Sequence, residues 1–140
     1  MKNAPALPLR NTLLCGFVLV CVALPPRLAL LFRGVAEDEL NTIAFGVRLP
    51  SMWDTMSSSA VFNNHIAYSI LARIAQSLLG DAEWVLRLPA LCFGVLGVIA
   101  LWRLSAFLWN SRFALLPAFL LCFAPIHVVY SSSVRGYSAM

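Results

Sequence analysis

From Leu88 to Trp109 the chain runs for a full membrane thickness with a single charge, Arg103, and that stretch limits the fold more than any other feature. A helix needs about 20 mostly apolar residues to cross the hydrocarbon core. Asn11 to Phe32 is a second such run. Phe113 to Tyr130 is a third, with Pro117 and Pro125 inside it, which membrane helices tolerate. Hydrophobic residues make up 61% of 140, more apolar surface than one soluble core of this size buries. The expected fold is therefore an all-α integral membrane domain over residues 1–140, with about three transmembrane helices near 11–32, 88–109 and 113–130.

Lys2 and Arg10 ahead of the first run would also suit a secretory signal. The run continues past Pro25-Pro26 without an A-x-A-like cleavage site, so a retained anchor is expected. Arg27 and Arg33 near its far end are placed to snorkel to headgroups. The net charge of +4 comes from basic residues scattered singly between apolar segments, which gives phosphates no basic face to follow and indicates no nucleic-acid partner. Cys15, Cys21, Cys92 and Cys122 lack CxxC or mixed Cys/His spacing, so neither a zinc site nor a disulfide framework is indicated.

All six acids fall between Glu37 and Glu83, in one long loop over 33–87. Two stretches of that loop have the pattern of helices lying in the membrane interface. In residues 61–79, Ile66, Ile70, Ile74 and Leu78 line one face while His65, Ser69, Arg73 and Gln76 line another. Residues 37–48 repeat this in shorter form through Leu40, Ile43, Ala44 and Val47, ended by Pro50. Three spans put this loop and the tail after Tyr130 on one side. Lys2, Arg10, Arg103 and Arg112 lie on the other, which marks it as cytoplasmic.

Three groups carry candidate chemistry. Glu37-Asp38-Glu39 has an ordinary reading as helix-start acids, favoured by the macrodipole and unpaired backbone N–H groups. Its functional reading is a general base at the membrane surface, acting on an incoming hydroxyl or amine. Asn63-Asn64-His65 reads as a cap with a headgroup contact or as part of a binding cavity, with Tyr68 one turn beyond Asn64 on the same face. Arg135 and Tyr137, after Ser131-Ser132-Ser133, are either interface anchors or partners for a phosphate, which a planar guanidinium binds through paired donors.

The order of these pieces resembles the start of a membrane glycosyltransferase of the GT-C class. An anchor is followed by "EDEL", "NNHIAYSILARIAQSLLG", "DAEWVLRLPALCFGVLGVIALWRLSAFL" and "APIHVVYSSSVRGYSAM". The likeness is to bacterial protein O-mannosyltransferase and aminoarabinose-transferase-like enzymes (glycosyltransferase family 39-like), and Gly80 to Pro89 is its most specific stretch. It covers about Leu13 to Met140 and implies a GT-C-like N-terminal module in a multi-pass protein of the bacterial inner membrane.

The implied activity is hexosyl-type transfer from a polyprenyl-phosphate-linked sugar to a lipid, glycan or protein acceptor at the outer face. Matched by position, the resemblance gives Asp38 the role of base, with Glu39 as its support. Asn64, His65 and Tyr68 would line the cavity, and Arg135 and Tyr137 would meet the donor phosphate. Relatives often carry Pro after the His where this chain has Ile66-Ala67. Metal use differs among them, so no metal or cofactor is assigned and a divalent cation stays open. Relatives also carry many more membrane helices, which makes a fragment of such an enzyme the expectation. The competing class is a non-catalytic membrane subunit or transporter fragment, with the acids and Arg135 as interface or coupling charges.

Overall fold

A computed structural model describes residues 9–57, 66–109 and 113–135, and every regular element among them is helical. Among the described residues two helices are long and apolar enough to cross a membrane, Arg10–Leu31 and Glu83–Leu108. The first belongs to α1, Leu9–Leu31, and the second is α5. Between them lie α2 (Glu37–Thr42), a π-helical turn over Ile43–Val47, α3 (Met52–Ser57) and α4 (Ile66–Leu79). After α5 come α6 (Leu115–Phe123) and α7 (Pro125–Tyr130).

The two long helices have the lengths their composition calls for. At about 1.5 Å per residue, α1 with 23 residues and α5 with 26 are each long enough for a hydrocarbon core. Starting at Glu83, α5 takes in five residues that the hydropathy pattern leaves in the loop. Ala82 is extended and a carboxylate occupies the first turn, the arrangement a helix start favours.

The third apolar run is not one helix. Ala124, with φ −60° and ψ 114°, interrupts it between α6 and α7. Pro125 is the cause, since the ring pushes the residue before it out of the α region. The segment still travels the length of α5. Ala114 packs with Trp102 near the end of α5, whereas the carbonyls of Ser133 and Leu86 share the Tyr68 hydroxyl near its start.

Two cores result. Leu19 and Ala23 of α1, Val98 and Trp102 of α5, and Ala114, Ala118 and Cys122 around α6 form the one between the long helices. Its alanines allow close helix approach, the usual way helices associate in lipid. Ile43, Val47, Tyr68, Ala72, Leu86, Ala90 and Val134 form the other, where the loop helices pack on the start of α5. Outside these cores Phe17, Leu96, Leu104, Phe107 and Leu120 stay exposed, as lipid-facing residues do.

Helix α4 turns its polar side inward. Tyr68, Ser69 and Ala72 are buried, while Ile66, Ile74 and Leu78 face outward. Arg73 reaches back to the carbonyl of Ser51 (2.9 Å) and to Thr55 Oγ1 (2.9 Å), tying α3 down.

Gly94 is where α5 is crossed most closely. A β-carbon there would overlap Ser131 Oγ and Cβ. We expect Gly94→Ala to lower stability by about 1–3 kcal/mol, as overpacking does, and the added change Ser131→Gly to recover most of it. Thermal unfolding of the wild type and the two variants checks this. No recovery in the double variant would place the strain elsewhere.

Candidate functional site

The acids at 37–39 do begin a helix, and adjacent positions on it are put to opposite uses. All three occupy the first turn of α2 after an extended Ala36. Successive helical residues are about 100° apart, so the two neighbours point in different directions. The side chain of Glu39 is 2% exposed and that of Asp38 is 74% exposed.

Glu39 lies in a cage. Its Oε2 accepts from the backbone N–H of Ala36 (2.9 Å) and from Arg87 Nη2 (3.1 Å). Its Oε1 accepts from the backbone N–H of Val134 (2.8 Å) and from Arg87 Nε (3.4 Å), with Arg33 Nη2 at 3.6 Å. Burial alone would raise this carboxyl's pKa. The Ala36 N–H, the Arg87 guanidinium and the Val134 N–H outweigh it, so Glu39 lies below the ordinary carboxylate range and is ionised.

Arg87 is equally committed. Besides Glu39, it donates from Nη1 to the carbonyls of Leu31 (2.6 Å) and Arg33 (2.7 Å), and from Nη2 to that of Gly34 (3.3 Å). These are carbonyls at and just beyond the end of α1, which the helix itself leaves without donors. One arginine thus joins the end of α1, the start of α2, the start of α5 and, through Glu39, the segment after α7. Sequence reasoning gave it no role. An arginine in the apolar run Trp84–Pro89 at the start of a long apolar stretch, in a chain with six acids, was the available signal.

Asp38 and Arg135 meet at the rim of this clasp. Arg135 Nη2 is 3.2 Å from Asp38 Oδ1 and 3.4 Å from the Asp38 carbonyl. Tyr68 lies beneath, its hydroxyl donating to the carbonyls of Leu86 (2.7 Å) and Ser133 (3.2 Å). Burial, then the charge of Glu39, push its phenol pKa upward against the opposing pull of Arg87, so it stays protonated. The structure thus gathers Asp38, Glu39, Tyr68 and Arg135 at one end of the long helices. Asn64, His65 and Tyr137 lie outside the described residues.

One expectation changes. Arg27 does not snorkel. It is fully buried, donating to the carbonyls of Ala23 (2.7 Å) and Cys122 (3.1 Å), with His127 Nδ1 2.7 Å from its Nη2. It faces the crossing of α6 and α7, where these acceptors are nearer than any headgroup. The serine run had no assigned role. Ser131, Ser132 and Ser133 are buried and donate back to the carbonyls of His127, Val128 and Val129, closing the end of α7.

The clasp carries a pH signature. A carboxyl with a depressed pKa stabilises the fold fully above the unfolded value of about 4.3 and loses that contribution as pH falls through its own lower pKa. A phenol with a raised pKa stabilises it fully below about 10 and loses that contribution as pH climbs beyond. Unfolding temperatures should therefore fall at both extremes. Glu39→Gln should flatten the acid limb and Tyr68→Phe the alkaline one.

The fold and this clasp define a helical membrane protein with an exposed carboxylate, Asp38, set beside Arg135 over a buried Glu39–Arg87 pair. Residues 65–135, about half of the chain, match the family described as dolichyl-phosphate-mannose-protein mannosyltransferase. The chain belongs to that family, whose members are membrane glycosyltransferases of the GT-C class. Tyr68, Arg87 and Arg135 lie within the matched region, and Asp38 and Glu39 precede it. No curated protein and no solved structure matches the chain.

Proposed function

We propose that this chain contributes the base-bearing part of a sugar-transfer site, acting on a polyprenyl-phosphate-linked sugar at the outer face of the bacterial inner membrane. The observation that carries the reading is the exposed Asp38 carboxylate beside Arg135, held on a buried Glu39–Arg87 pair. Family membership supports the reaction class, since the family is named for a lipid-phosphate sugar donor.

In this reading Asp38 takes the proton of an acceptor hydroxyl or amine as that atom forms its bond to the sugar's anomeric carbon. The bond from that carbon to the phosphate oxygen breaks, and the phosphate leaves with the electron pair and the polyprenyl chain. Arg135 stabilises the negative charge gathering on the departing phosphate. Glu39 acts as a positioning residue, its acceptor capacity being spent on Ala36, Arg87 and Val134.

The topology proposed with it has three passes, the third made of α6 and α7. Support comes from the path of residues 113–135, which return along α5 from its end to its start. Residues 37–47 and α4 then lie at the outer interface, with the outward row Ile66, Ile74 and Leu78 toward lipid. Sugar transfer from a radiolabelled polyprenyl-phosphate donor, compared between membranes carrying wild-type and Asp38→Asn protein, tests the reading. Equal transfer by both would remove Asp38 from the mechanism.

A further inference from the structure

Where α1 ends and α5 begins, the two long helices leave a cleft of about 260 Å³, lined by Leu31, Phe32, Arg33, Glu83, Trp84 and Arg87. That is below the roughly 300–1,000 Å³ of sites that enclose a drug-sized ligand, and it suits a headgroup rather than a whole lipid-linked sugar. Arg87 offers a ligand nothing, its donors being taken by Glu39 and the three carbonyls.

Arg33 and Glu83 are different. Arg33 is partly exposed, donates from Nη2 to Ser133 Oγ (2.8 Å), and lies 3.6 Å from Glu39, a carboxylate it shares with Arg87, so the three groups keep one positive charge in excess. Glu83 is exposed and has no partner among the described residues. The two line one cleft without forming an ion pair with each other. Opposite charges held apart in one recess, with the Trp84 ring at its wall, match a ligand that carries both charges itself.

We propose that this cleft binds the phosphoethanolamine headgroup of a bilayer aminophospholipid. The phosphate accepts from Arg33 through charge-assisted hydrogen bonds. The ammonium donates to the Glu83 carboxylate and rests against Trp84, which attracts a cation through its ring face. The acyl chains continue along the outward side of α1, where Leu28 is 41% exposed. A primary ammonium is specified over a quaternary one because Glu83 needs an N–H to accept, and one Trp is not an aromatic cage. The assignment stands apart from the transferase reading, because it uses neither Asp38 nor Arg135.

Native mass spectrometry of the delipidated chain in detergent, titrated with equimolar dioleoyl phosphatidylethanolamine, phosphatidylcholine and phosphatidylglycerol, tests it. Phosphatidylethanolamine should be retained at least about tenfold over the other two, the scale of one hydrogen bond to a charged group. Glu83→Ala, on an exposed side chain, should abolish that preference, with at most the small loss of stability that a first-turn carboxylate contributes. Arg33→Gln should lower retention of all three. Equal retention of phosphatidylglycerol, or a preference that survives Glu83→Ala, would overturn the proposal. Displacement by equimolar soluble phosphoethanolamine would assign the cleft to a free solute and overturn the lipid assignment.

Discussion

Asp38→Asn should reduce sugar transfer by about 10²–10⁴-fold, the usual contribution of a positioned general base, and leave the fold in place. The substitution keeps the shape of the side chain and its place in the first turn of α2, and removes only the ability to take a proton. Asp38 is 74% exposed, so the bond it gives up to Arg135 is a surface ion pair, worth at most about 1 kcal/mol. An effect on rate without one on stability is therefore the expected signature.

The same experiment separates a second role for the pair. If Asp38 serves only to hold Arg135, Asn should retain much of the function, because its amide oxygen still accepts from a guanidinium. Arg135→Lys makes the complementary comparison. A lysine keeps the charge but loses the planar paired donors, so a phosphate-binding role predicts weaker donor use and a pairing role predicts little change. Donor KM measured on both variants decides between them.

What the sequence discloses and what it conceals divide along physical lines. Long apolar runs announce α1 and α5, and three carboxylates announce the start of α2, because these depend on neighbours along the chain. The break at Ala124 was also written locally, in Pro125, although Pro25, Pro26, Pro89 and Pro117 are carried inside helices. Pro125 differs in starting a new helix at its first position, where no backbone donor is missed.

The site was half legible. The resemblance to a known family brought Asp38, Glu39, Tyr68 and Arg135 together, and the structure places them at one end of the bundle. It gave Asp38 the role of base and Glu39 that of its support, without showing that Glu39 is buried and Asp38 exposed. That burial depends on Arg87, 48 residues further along, and on Val134, 95 residues further along. Arg27 was misread for the same reason, since His127 lies 100 residues away. Periodicity reports which side of a helix is apolar, and it cannot report which distant carbonyl an arginine will find.

The clasp itself predicts the largest loss of stability. Arg87→Met should destabilise the fold by about 3–5 kcal/mol, because it leaves the ionised Glu39 buried without its cation. The carbonyls of Leu31, Arg33 and Gly34 would lose their donor as well, and each unsatisfied one adds to the cost. Glu39→Gln alone should cost less. An amide still accepts from Ala36 or Val134, and Arg87 keeps its three carbonyls. The double variant Arg87→Met/Glu39→Gln should be more stable than Arg87→Met by itself, since it removes the stranded charge. Such an order of unfolding temperatures would show that the stranded charge is part of the cost, and the gap between the double variant and Glu39→Gln gives the share of the carbonyl bonds. If the double variant were instead the least stable, no stranded charge would be relieved, and the arginine would act mainly as a bridge between helix ends. Either order bears on Asp38, because the turn that presents it is anchored through Glu39. A rate loss in Arg87→Met well below its unfolding temperature, with donor KM nearly unchanged, would show that the clasp aims the base as well as holding the fold.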